Sequence, residues 1–273
     1  MQLCFATNNR HKINEVAQVV GGKFRIVGLQ EIGCHDELPE NQTTLEGNAW
    51  EKADYVWNHF KTSCFADDTG LEVAALGGKP GVDSAHYAGA QRNAHDNIDL
   101  LLRNLQGNAN RKARFRTCIA LIINGERYLF EGIVNGTILE KRRGADGFGY
   151  DPVFVPDGCG HTFAEMPLAE KNKISHRAVA MRRLLAFLEA AKEYLSKSPN
   201  PPDLPEADAR FRSDTQCLTW VASFTIRNLF PYPIHQHPEI NVPEQTFLQI
   251  NPVRLLPVPV VAERSTKPEK EKK

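Results

Sequence analysis

The sequence predicts an α/β protein with a mixed β-sheet, followed by a proline-rich C-terminal extension. Three observations support this prediction. Over residues 1–198, short apolar runs alternate with stretches whose apolar residues recur at helical spacing. Within that region, one long alternating stretch runs into Asn124-Gly125, which predicts an antiparallel hairpin. The proline content changes at Ser198, because five of the seventeen prolines precede this residue and twelve follow it.

Hydrophobic spacing predicts the elements of the first region in order. Residues 3–6 form a short apolar run that predicts a strand, and residues 64–66 predict a second, buried strand. Four other stretches carry apolar residues three and four positions apart, as on one face of an amphipathic helix. These helical stripes are Ile13, Val16, Ala17 and Val20; Leu45, Ala49, Ala53, Val56 and Phe60; Ile98, Leu101, Leu102 and Leu105; and Met181, Leu184, Leu185, Leu188 and Leu195.

The hairpin makes the predicted sheet mixed. The alternation from Ala113 to Ile123 predicts one long strand, and residues 128–134 return as its partner. Asn124-Gly125 between them favours a type I′ turn, because both residues tolerate positive φ. Alternating strands and helices bring parallel pairs, and the hairpin adds an antiparallel pair to the same sheet.

Composition and charge exclude several classes of protein. Apolar residues make up 41% of the chain and charged residues 24%, which is close to an ordinary soluble protein. Thirty-three basic residues balance thirty-three acidic ones, so no global charge favours nucleic acid or an anionic membrane. No run of about 18 apolar residues exists that could span a bilayer. We therefore expect no direct nucleic-acid partner and no membrane partner.

The N-terminal residues and the cysteines predict a cytoplasmic protein. Residues 1–6 lack the basic region and the long apolar region of a secretory signal. The six cysteines lie far apart, none forms a C-x-x-C pair, and the chain is too long for a small disulfide scaffold. Reduced thiols in a reducing compartment are the expected state.

A linker is predicted at residues 198–202, since Ser-Pro-Asn-Pro-Pro cannot continue a helix. We therefore predict a domain over residues 1–198 and a proline-rich extension over residues 199–273. The charge run at residues 267–273 has no means of burying surface, so we expect the extension to be partly disordered. Residues 211–261 are more apolar than a standard linker, and two interpretations stay open for them: short strands or peptide-like docking segments.

The first of four unusual loops lies between the first strand and the first helix. A loop at the carboxyl end of a strand that begins a helix is a natural anion site, because its backbone N–H groups point at the ligand. Asparagine amides can wrap phosphate oxygens, and a lysine adds a point charge. An ordinary polar N-cap turn is the alternative. The loop consists of Thr7, Asn8, Asn9, Arg10, His11 and Lys12.

The second loop, residues 66–70, is predicted directly after a buried strand. Two adjacent carboxylates, Asp67 and Asp68, repel each other there unless a cation compensates. Mg²⁺ is the usual cation, since it is bound by one or two carboxylates together with substrate phosphates. Glu40 could supply another carboxylate. The alternative is a turn in which Asp caps a helix or forms an Asx turn.

The third loop, residues 144–152, combines three glycines with Phe148 and Tyr150. Such a backbone suits a flat ligand, because an exposed Phe on a glycine loop can stack on a base for about 1–3 kcal/mol. The alternative is a tight structural loop whose Phe lies in the core.

The fourth loop, residues 171–177, leads into the last helix. Ser175 is a good N-cap. His176 and Arg177 then occupy the first helical turn, where the macrodipole disfavours cations. Their position indicates an anionic or acceptor-rich ligand, and a solvated pair is the alternative.

These motifs come in a fixed order between residues 2 and 195. They are Thr7-Asn8-Asn9 with Lys12; Glu46-Gly47-Asn48-Ala49 with Lys52; Ala66-Asp67-Asp68-Thr69-Gly70-Leu71-Glu72-Val73; Pro80-Gly81-Val82-Asp83-Ser84-Ala85 with Tyr87-Ala88-Gly89; Phe148-Gly149-Tyr150-Asp151-Pro152; and Ser175-His176-Arg177. In this combination the chain resembles the inosine triphosphate pyrophosphatase family, also called dITP/XTP pyrophosphatases. The resemblance implies hydrolysis of inosine and xanthosine triphosphates, ribo or deoxy, to the monophosphate and pyrophosphate, which keeps these bases out of DNA and RNA. It also implies Mg²⁺ dependence, a homodimer, and a long mixed sheet with helices in two lobes around a central cleft.

The resemblance also implies roles for individual residues. Glu40 and Asp68 would bind Mg²⁺, and Asp68 would be the catalytic proton acceptor. Thr69 would touch the substrate, and Lys52 and Lys171 would contact its phosphates or base. The loop from Thr7 to Lys12 would hold the triphosphate, and the base pocket would consist of Phe148, Gly149, Tyr150, Asp151, His176 and Arg177.

The chemistry of this reaction fits the same residue types independently. Attack of water at the α-phosphorus requires that the negative charge on the non-bridging oxygens and on the leaving pyrophosphate be neutralised. Mg²⁺ and lysines supply the positive charge. A carboxylate beside the metal can orient and deprotonate the water. No covalent nucleophile is required.

Two departures and three alternatives accompany the resemblance. His86 stands where many members of the family have Arg, which weakens a cationic contact at that position, and the extension after Ser198 matches nothing in the family. The alternatives are a pyrophosphatase of other modified nucleotides, a nucleotide-binding sensor without turnover, and direct nucleic-acid binding. The carboxylates Asp67, Asp68 and Glu40 favour catalysis over sensing, because binding alone needs no such cluster.

Overall fold

A seven-stranded mixed sheet forms the centre of the protein in the computed structural model, which describes residues 2–197. The predicted boundary at residue 198 and the extension 199–273 lie outside the described residues. The strands are β1 (Gln2–Phe5), β2 (Arg25–Val27), β3 (Cys64–Val73), β4 (Pro80–Gly81), β5 (Lys112–Ile123), β6 (Glu126–Ile138) and β7 (Phe154–Pro156). The helices are α1 (Arg10–Val20), α2 (Leu45–Phe60), α3 (Ala94–Asn104), α4 (Leu168–Ile174) and α5 (His176–Lys197).

The strand order confirms the predicted mixture of parallel and antiparallel pairs. The order is β2-β1-β3-β5-β6-β7, with β4 paired to β3. β1 runs parallel to both β2 and β3, whereas β3, β5, β6 and β7 form antiparallel pairs. The predicted hairpin joins β5 to β6, and Asn124 and Gly125 have φ of 47° and 87° as a type I′ turn requires.

Three hydrophobic clusters divide the described chain into two lobes. In the first lobe, α1 and α5 cover one face of the sheet through Phe65 and Ile119, and α2 covers the other face through Ala66 and Ala120. The two faces alternate along β3 and β5, as the period of two in a strand requires. The second lobe forms around the other ends of these strands, where α3 packs near Leu71.

A polar band crosses the sheet between the two lobes. It includes residues 67–69 of β3 and Thr117 of β5, which lie between the apolar segments of the same strands. Buried polar groups are costly unless they are paired, so this band needs partners from elsewhere in the chain. The polar band therefore marks where the site is built.

The structure corrects two predicted loops and adds several short elements. Most of the loop predicted at residues 171–177 is helical, because α4 extends to Ile174 and α5 begins at His176. The loop predicted at residues 66–70 is wrong, because β3 continues without interruption from Cys64 to Val73. A run of polar residues is typical of a loop, but cross-strand pairing with β5 keeps these residues extended. The sequence did not predict β2, β4, β7 or α4, each seven residues or shorter. Within residues 2–197, no helix has the length and apolar character needed to cross a membrane.

Candidate active site

The loop predicted at residues 7–12 lies between β1 and α1, although its last three residues form the first turn of α1. Asn9 is the N-cap of α1, and its Oδ1 accepts hydrogen bonds from the backbone N–H groups of His11 and Lys12 at 3.0 and 3.3 Å. The N-cap alternative is therefore correct for this side chain. It does not exclude an anion site, because the cap orders the loop while Asn8 stays exposed at its surface.

The Lys12 side chain leaves this loop and enters the polar band. Its Nζ donates to Asp67 Oδ1 at 3.0 Å and lies 3.4 Å from the Asp67 carbonyl oxygen. Burial lowers the pKa of the Lys12 ammonium, and attraction by Asp67 offsets only part of that effect.

Asp67 and Asp68 are adjacent in β3 and project to opposite faces of the sheet. Asp67 accepts from Lys12 and, at 2.9 Å, from Arg177 Nε, and it is 1% exposed. Burial alone would raise the pKa of Asp67, but Lys12 and Arg177 outweigh it and hold the pKa well below its ordinary value. The repulsion expected between adjacent carboxylates is avoided by their opposite directions.

Asp68 projects toward α2. Its Oδ2 accepts from Asn48 Nδ2 at 3.1 Å, and its Oδ1 lies 3.8 Å from Lys52 Nζ. Burial raises the pKa of Asp68, and Lys52 and Lys12 offset only part of the rise. A carboxyl group with a raised pKa and incomplete pairing in a cleft has the properties of a general base.

Lys52 connects Asp68 to Glu40. Its Nζ donates to Glu40 Oε1 at 2.6 Å and to the Asp67 carbonyl oxygen at 2.8 Å. Burial would lower the pKa of Lys52, but Asp68 and Glu40 outweigh it and raise the pKa. This lysine stays charged in the cleft.

Glu40 and Asp68 fit the requirements of a divalent cation. The two carboxylates come from different segments, both line the same cleft, and both face the Lys52 ammonium. Hard oxygen donors that converge on one cationic position are the donor set that Mg²⁺ prefers.

A second group of possible ligand atoms, from Glu46, Cys118 and Glu131, lies near this region. The Arg116 guanidinium already pairs with both of its carboxylates, with Glu131 at 2.5 Å. We assign no metal to this group, because the Arg116 guanidinium already pairs with the carboxylates that would bind it.

Phe148 lies half-buried at the other end of the cleft, on the predicted glycine loop. The His11 ring stacks against it, with centroids 5.1 Å apart. Its backbone N–H donates to Asp151 Oδ2 at 2.9 Å. A Cβ on Gly147 would lie 2.1 Å from that oxygen, so this turn requires glycine. The alternative that Phe148 lies in the core is therefore wrong.

A chain of buried ion pairs supports the Phe148 loop. Lys171 Nζ contacts Asp151 at 2.6 Å and Glu15 at 2.7 Å, and Glu15 also pairs with Arg177. Arg177 Nη2 donates to Thr69 Oγ1 at 3.1 Å. The alternative of a solvated cationic pair is wrong, since Arg177 is 1% exposed. Sequence reasoning missed Glu15, whose signal is a carboxylate on the inward face of α1 beside Val16.

His176 begins α5 immediately after Ser175. Ser175 accepts from the backbone N–H of Ala178 at 3.3 Å, which confirms the predicted N-cap. The His176 ring is buried and stacks on Phe115 at 4.6 Å, and its Nδ1 has no hydrogen-bond partner among the described residues. Burial, together with Arg177 and Lys171, lowers the pKa of His176 well below its ordinary value. A neutral imidazole with one unpaired nitrogen therefore borders the cleft.

The cleft has a volume of about 460 Å³ and brings the predicted site residues together. Apart from Arg10 and His11, every residue predicted to bind substrate, metal or proton lines it, and His11 reaches it through Phe148. The Tyr150 hydroxyl is already used, because it donates to the Ser84 carbonyl oxygen. Lining residues that the sequence did not predict include Asn48, His86, Arg92 and Asn97. A larger groove of about 880 Å³ beside α3 is lined by other residues.

The fold and the cleft define a class of protein. This is an α/β protein whose cleft combines cations, carboxylates and a half-buried aromatic ring, a combination that suits a nucleotide ligand. A model of the Ham1 family matches residues 3–187. The chain belongs to the Ham1 family.

Individual relatives agree with this assignment and with the resemblance found in the sequence. The chain is similar to a dITP/XTP pyrophosphatase of Flavobacterium johnsoniae, with 49% identity over 192 residues that cover 70% of this chain and 100% of the relative. A dITP/XTP pyrophosphatase of Porphyromonas gingivalis is 53% identical, over 70% of this chain and 99% of the relative.

Solved structures show the same fold. The Staphylococcus aureus Ham1 protein matches with a TM-score of 0.64 and 35% identity, over 70% of this chain and 99% of that protein. A HAM1 protein from Coxiella burnetii matches with a TM-score of 0.65 and 31% identity, with the same coverage. These matches confirm the predicted fold class.

Proposed function

We propose that this protein hydrolyses non-standard purine nucleoside triphosphates (ITP, dITP and XTP) to the monophosphate and pyrophosphate, and so removes them from the nucleotide pool. The observation that carries the proposal is the position of Asp68, a buried carboxylate with a raised pKa beside Lys52. Asp68 shares one cleft with an anion-binding loop and with Phe148. The names of the relatives support the same activity.

The phosphates bind at the loop of residues 7–12 and beside Lys52 in this proposal. The first backbone N–H groups of α1 and the exposed Asn8 amide face the phosphate oxygens. Lys52 adds a fixed positive charge that its neighbours maintain. This end of the cleft stabilises the negative charge that develops on the phosphate oxygens and on the leaving pyrophosphate.

Asp68 accepts the proton of the attacking water. Its Oδ1 is the oxygen that faces Lys52, and Asn48 holds Oδ2 in place by a hydrogen bond. Such a positioned base contributes roughly 10²–10⁴-fold to a rate.

Glu40 and Asp68 would hold Mg²⁺, which would supply Lewis-acid polarisation of the phosphates. The Lys52 ammonium faces both carboxylates and favours the ionised form of each. Asp68 serves as the base while Glu40 stays unprotonated, because Lys52 outweighs the effect of burial and lowers the pKa of Glu40.

The base is selected at the Phe148 end. Hypoxanthine offers an acceptor at O6 and a donor at N1, whereas adenine presents an amino donor at position 6. His176 Nδ1 is buried without a partner, and the α5 N-terminus supplies further N–H groups. Donors in such a pocket leave a buried polar group unpaired against adenine, which disfavours ATP. Phe148 stacks on any base and adds affinity without selection.

We also propose a cytoplasmic homodimer. The resemblance to the pyrophosphatase family supports the dimer, and light scattering of the purified protein tests it. The described cysteines are free thiols, which agrees with a reducing compartment.

The activity is tested by incubating the protein with ITP, XTP, dITP, ATP and GTP, with Mg²⁺ and with EDTA. We expect pyrophosphate as the direct product from ITP and XTP, much less from ATP and GTP, and none with EDTA. Orthophosphate released stoichiometrically, without an added pyrophosphatase, would contradict the proposal.

A further inference from the structure

The cations inside the cleft are largely engaged by the protein's own carboxylates. Lys12 pairs with Asp67 at 3.0 Å and Lys52 with Glu40 at 2.6 Å. Further cleft cations are held in the same way: Lys171 by Glu15 and Asp151, and Arg177 by Glu15 and Asp67. A triphosphate brings several additional negative charges, so the phosphate end requires a cation that is not already held this tightly.

Arg92 meets this requirement. Its side chain lines the cleft and is 53% exposed. Its Nη2 lies 3.6 Å from Glu40 Oε2, and its Nη1 lies 4.0 Å from Glu37. Both distances exceed those of a charge-assisted hydrogen bond, so the guanidinium keeps its N–H donors available.

Arg92 lies in a segment far in sequence from the loop of residues 7–12, and it reaches the cleft beside Glu40. Lys52 binds one oxygen of Glu40, and Arg92 faces the other. Glu40 thus places Arg92 beside the phosphate-binding lysine.

The backbone holds Arg92 in an unusual conformation. Its φ is 52°, in the left-handed region that residues other than glycine seldom adopt. Its N–H donates to the Gly89 carbonyl oxygen at 3.2 Å, and Asn97 Oδ1 anchors the same segment through the N–H of Ala88 at 2.7 Å. The surrounding structure therefore maintains a backbone conformation that costs free energy. This conformation presents the Arg92 side chain at the cleft.

We infer that Arg92 is a substrate-binding residue that contacts the terminal phosphates of the triphosphate, the part released as pyrophosphate. This inference rests on the proposed function and adds a residue to it. Many members of the family have Arg where this chain has His86. Arg92, six residues further along the chain, supplies a cationic contact to the cleft. His86 also lines the cleft, and its Nε2 lies 3.3 Å from Asp83. The planar guanidinium can bind two phosphate oxygens at once, which an imidazole or an ammonium cannot do in the same geometry.

The test compares three variants. Arg92→Asn removes the guanidinium and leaves a residue that tolerates positive φ, so the fold is retained. Arg92→Lys keeps the charge and loses the bidentate geometry. Lys61→Asn is the matched control, because exposed Lys61 also has positive φ (50°) and ends α2 outside the lining of the cleft. The measurements are KM and kcat for ITP, calorimetric binding of inorganic pyrophosphate with Mg²⁺, and inhibition by IMP.

We expect Arg92→Asn to raise KM for ITP and the dissociation constant of pyrophosphate by about tenfold or more, as for loss of a hydrogen bond to a charged group. The inhibition constant of IMP and the melting temperature stay near those of Lys61→Asn, and Arg92→Lys gives an intermediate loss. Pyrophosphate affinity and KM equal to those of Lys61→Asn would overturn the inference, as would an equal loss of IMP binding. If the wild-type protein does not hydrolyse ITP, the proposed function fails. Normal wild-type hydrolysis with an unaffected Arg92→Asn variant refutes the role of Arg92 alone.

Discussion

Asp67 and Asp68 are neighbours in sequence and occupy opposite environments. Asp67 faces α1 and α5, where Lys12 and Arg177 pair with its two oxygens at 3.0 and 2.9 Å. Asp68 faces α2, where Asn48 donates to one oxygen and Lys52 lies 3.8 Å from the other. The pKa of Asp67 is held low by its cations, and the pKa of Asp68 is raised by burial.

The difference shows that residue type alone does not assign a role. Saturated pairing makes Asp67 part of the internal framework that ties Lys12 of α1 to Arg177 of α5. Incomplete pairing leaves Asp68 able to take a proton. The direction in which each side chain leaves the strand decides between the two roles.

The largest expected effect is the loss of activity in Asp68→Asn. Asparagine has the same shape but cannot accept the proton or hold a cation as a carboxylate does. We expect kcat for ITP to fall at least about a hundredfold, with a melting temperature close to wild type. Steady-state kinetics and circular dichroism measure the two quantities. A folded variant with nearly normal turnover would refute the role of Asp68.

Asp67→Asn is expected to act mainly on stability. Removing this carboxylate leaves Lys12 and Arg177 buried with one partner fewer, which costs about 3 kcal/mol of the free energy of unfolding. Urea unfolding followed by fluorescence measures it. The comparison between the two carboxylates breaks down if Asp67→Asn is as stable as Asp68→Asn.

Arg177→Lys tests whether the residues paired with Asp67 affect the recognition of the base or of the phosphates. Lysine keeps the charge beside Asp67 and loses the fork that also contacts Glu15 and Thr69. Arg177 lies in the first turn of α5, so its altered pairing should disturb the N-terminus where the base is selected in our proposal. We expect the ratio of kcat/KM between ITP and ATP to fall about tenfold. Phe148→Ala is the control, since loss of stacking should weaken both nucleotides to a similar degree. Equal losses for ITP and ATP in Arg177→Lys would assign Arg177 to the phosphates.

The smallest expected effect is a difference in acid stability. The pKa of Asp67 is lower in the folded state than in the unfolded chain, so its ionisation stabilises the fold above about pH 4. That contribution is lost as pH falls further toward the folded-state pKa. Asp67→Asn should therefore show a shallower decline in unfolding free energy on the acid side than the wild-type protein, in EDTA. An identical slope for both proteins would show that Asp67 is not ionised more readily in the fold.

The long elements were predictable, because their side-chain pattern is strong. The four helical stripes lie in α1, α2, α3 and α5, except that Leu105 is the C-cap of α3, and the Asn124-Gly125 hairpin is present. The short strands β2, β4 and β7 are invisible in the pattern, since their existence depends on neighbours that pair with them. The polar residues of β3 imitate a loop for the same reason, because pairing with β5 keeps them extended.

The candidate site was predictable where residues form compact motifs. The loop of residues 7–12, Asp68, Phe148 and His176 fall in such motifs and meet in the cleft. Glu15 and Arg92 were missed, because one lies within a helix and the other in an unremarkable polar segment. Their importance depends on which side chains the fold places beside them.

The sequence by itself determined the class of fold, the order of its main elements and most of the residue types that meet in the candidate site. Spacing and composition carry that information locally, through hydrophobic periodicity and turn chemistry. Tertiary structure alone decided that Asp67 is paired, that Asp68 has a raised pKa, that His176 is neutral and that Arg92 reaches Glu40. These properties arise from burial and from charges brought together across long stretches of sequence, and Coulomb interactions depend on distance in space rather than on position in the chain.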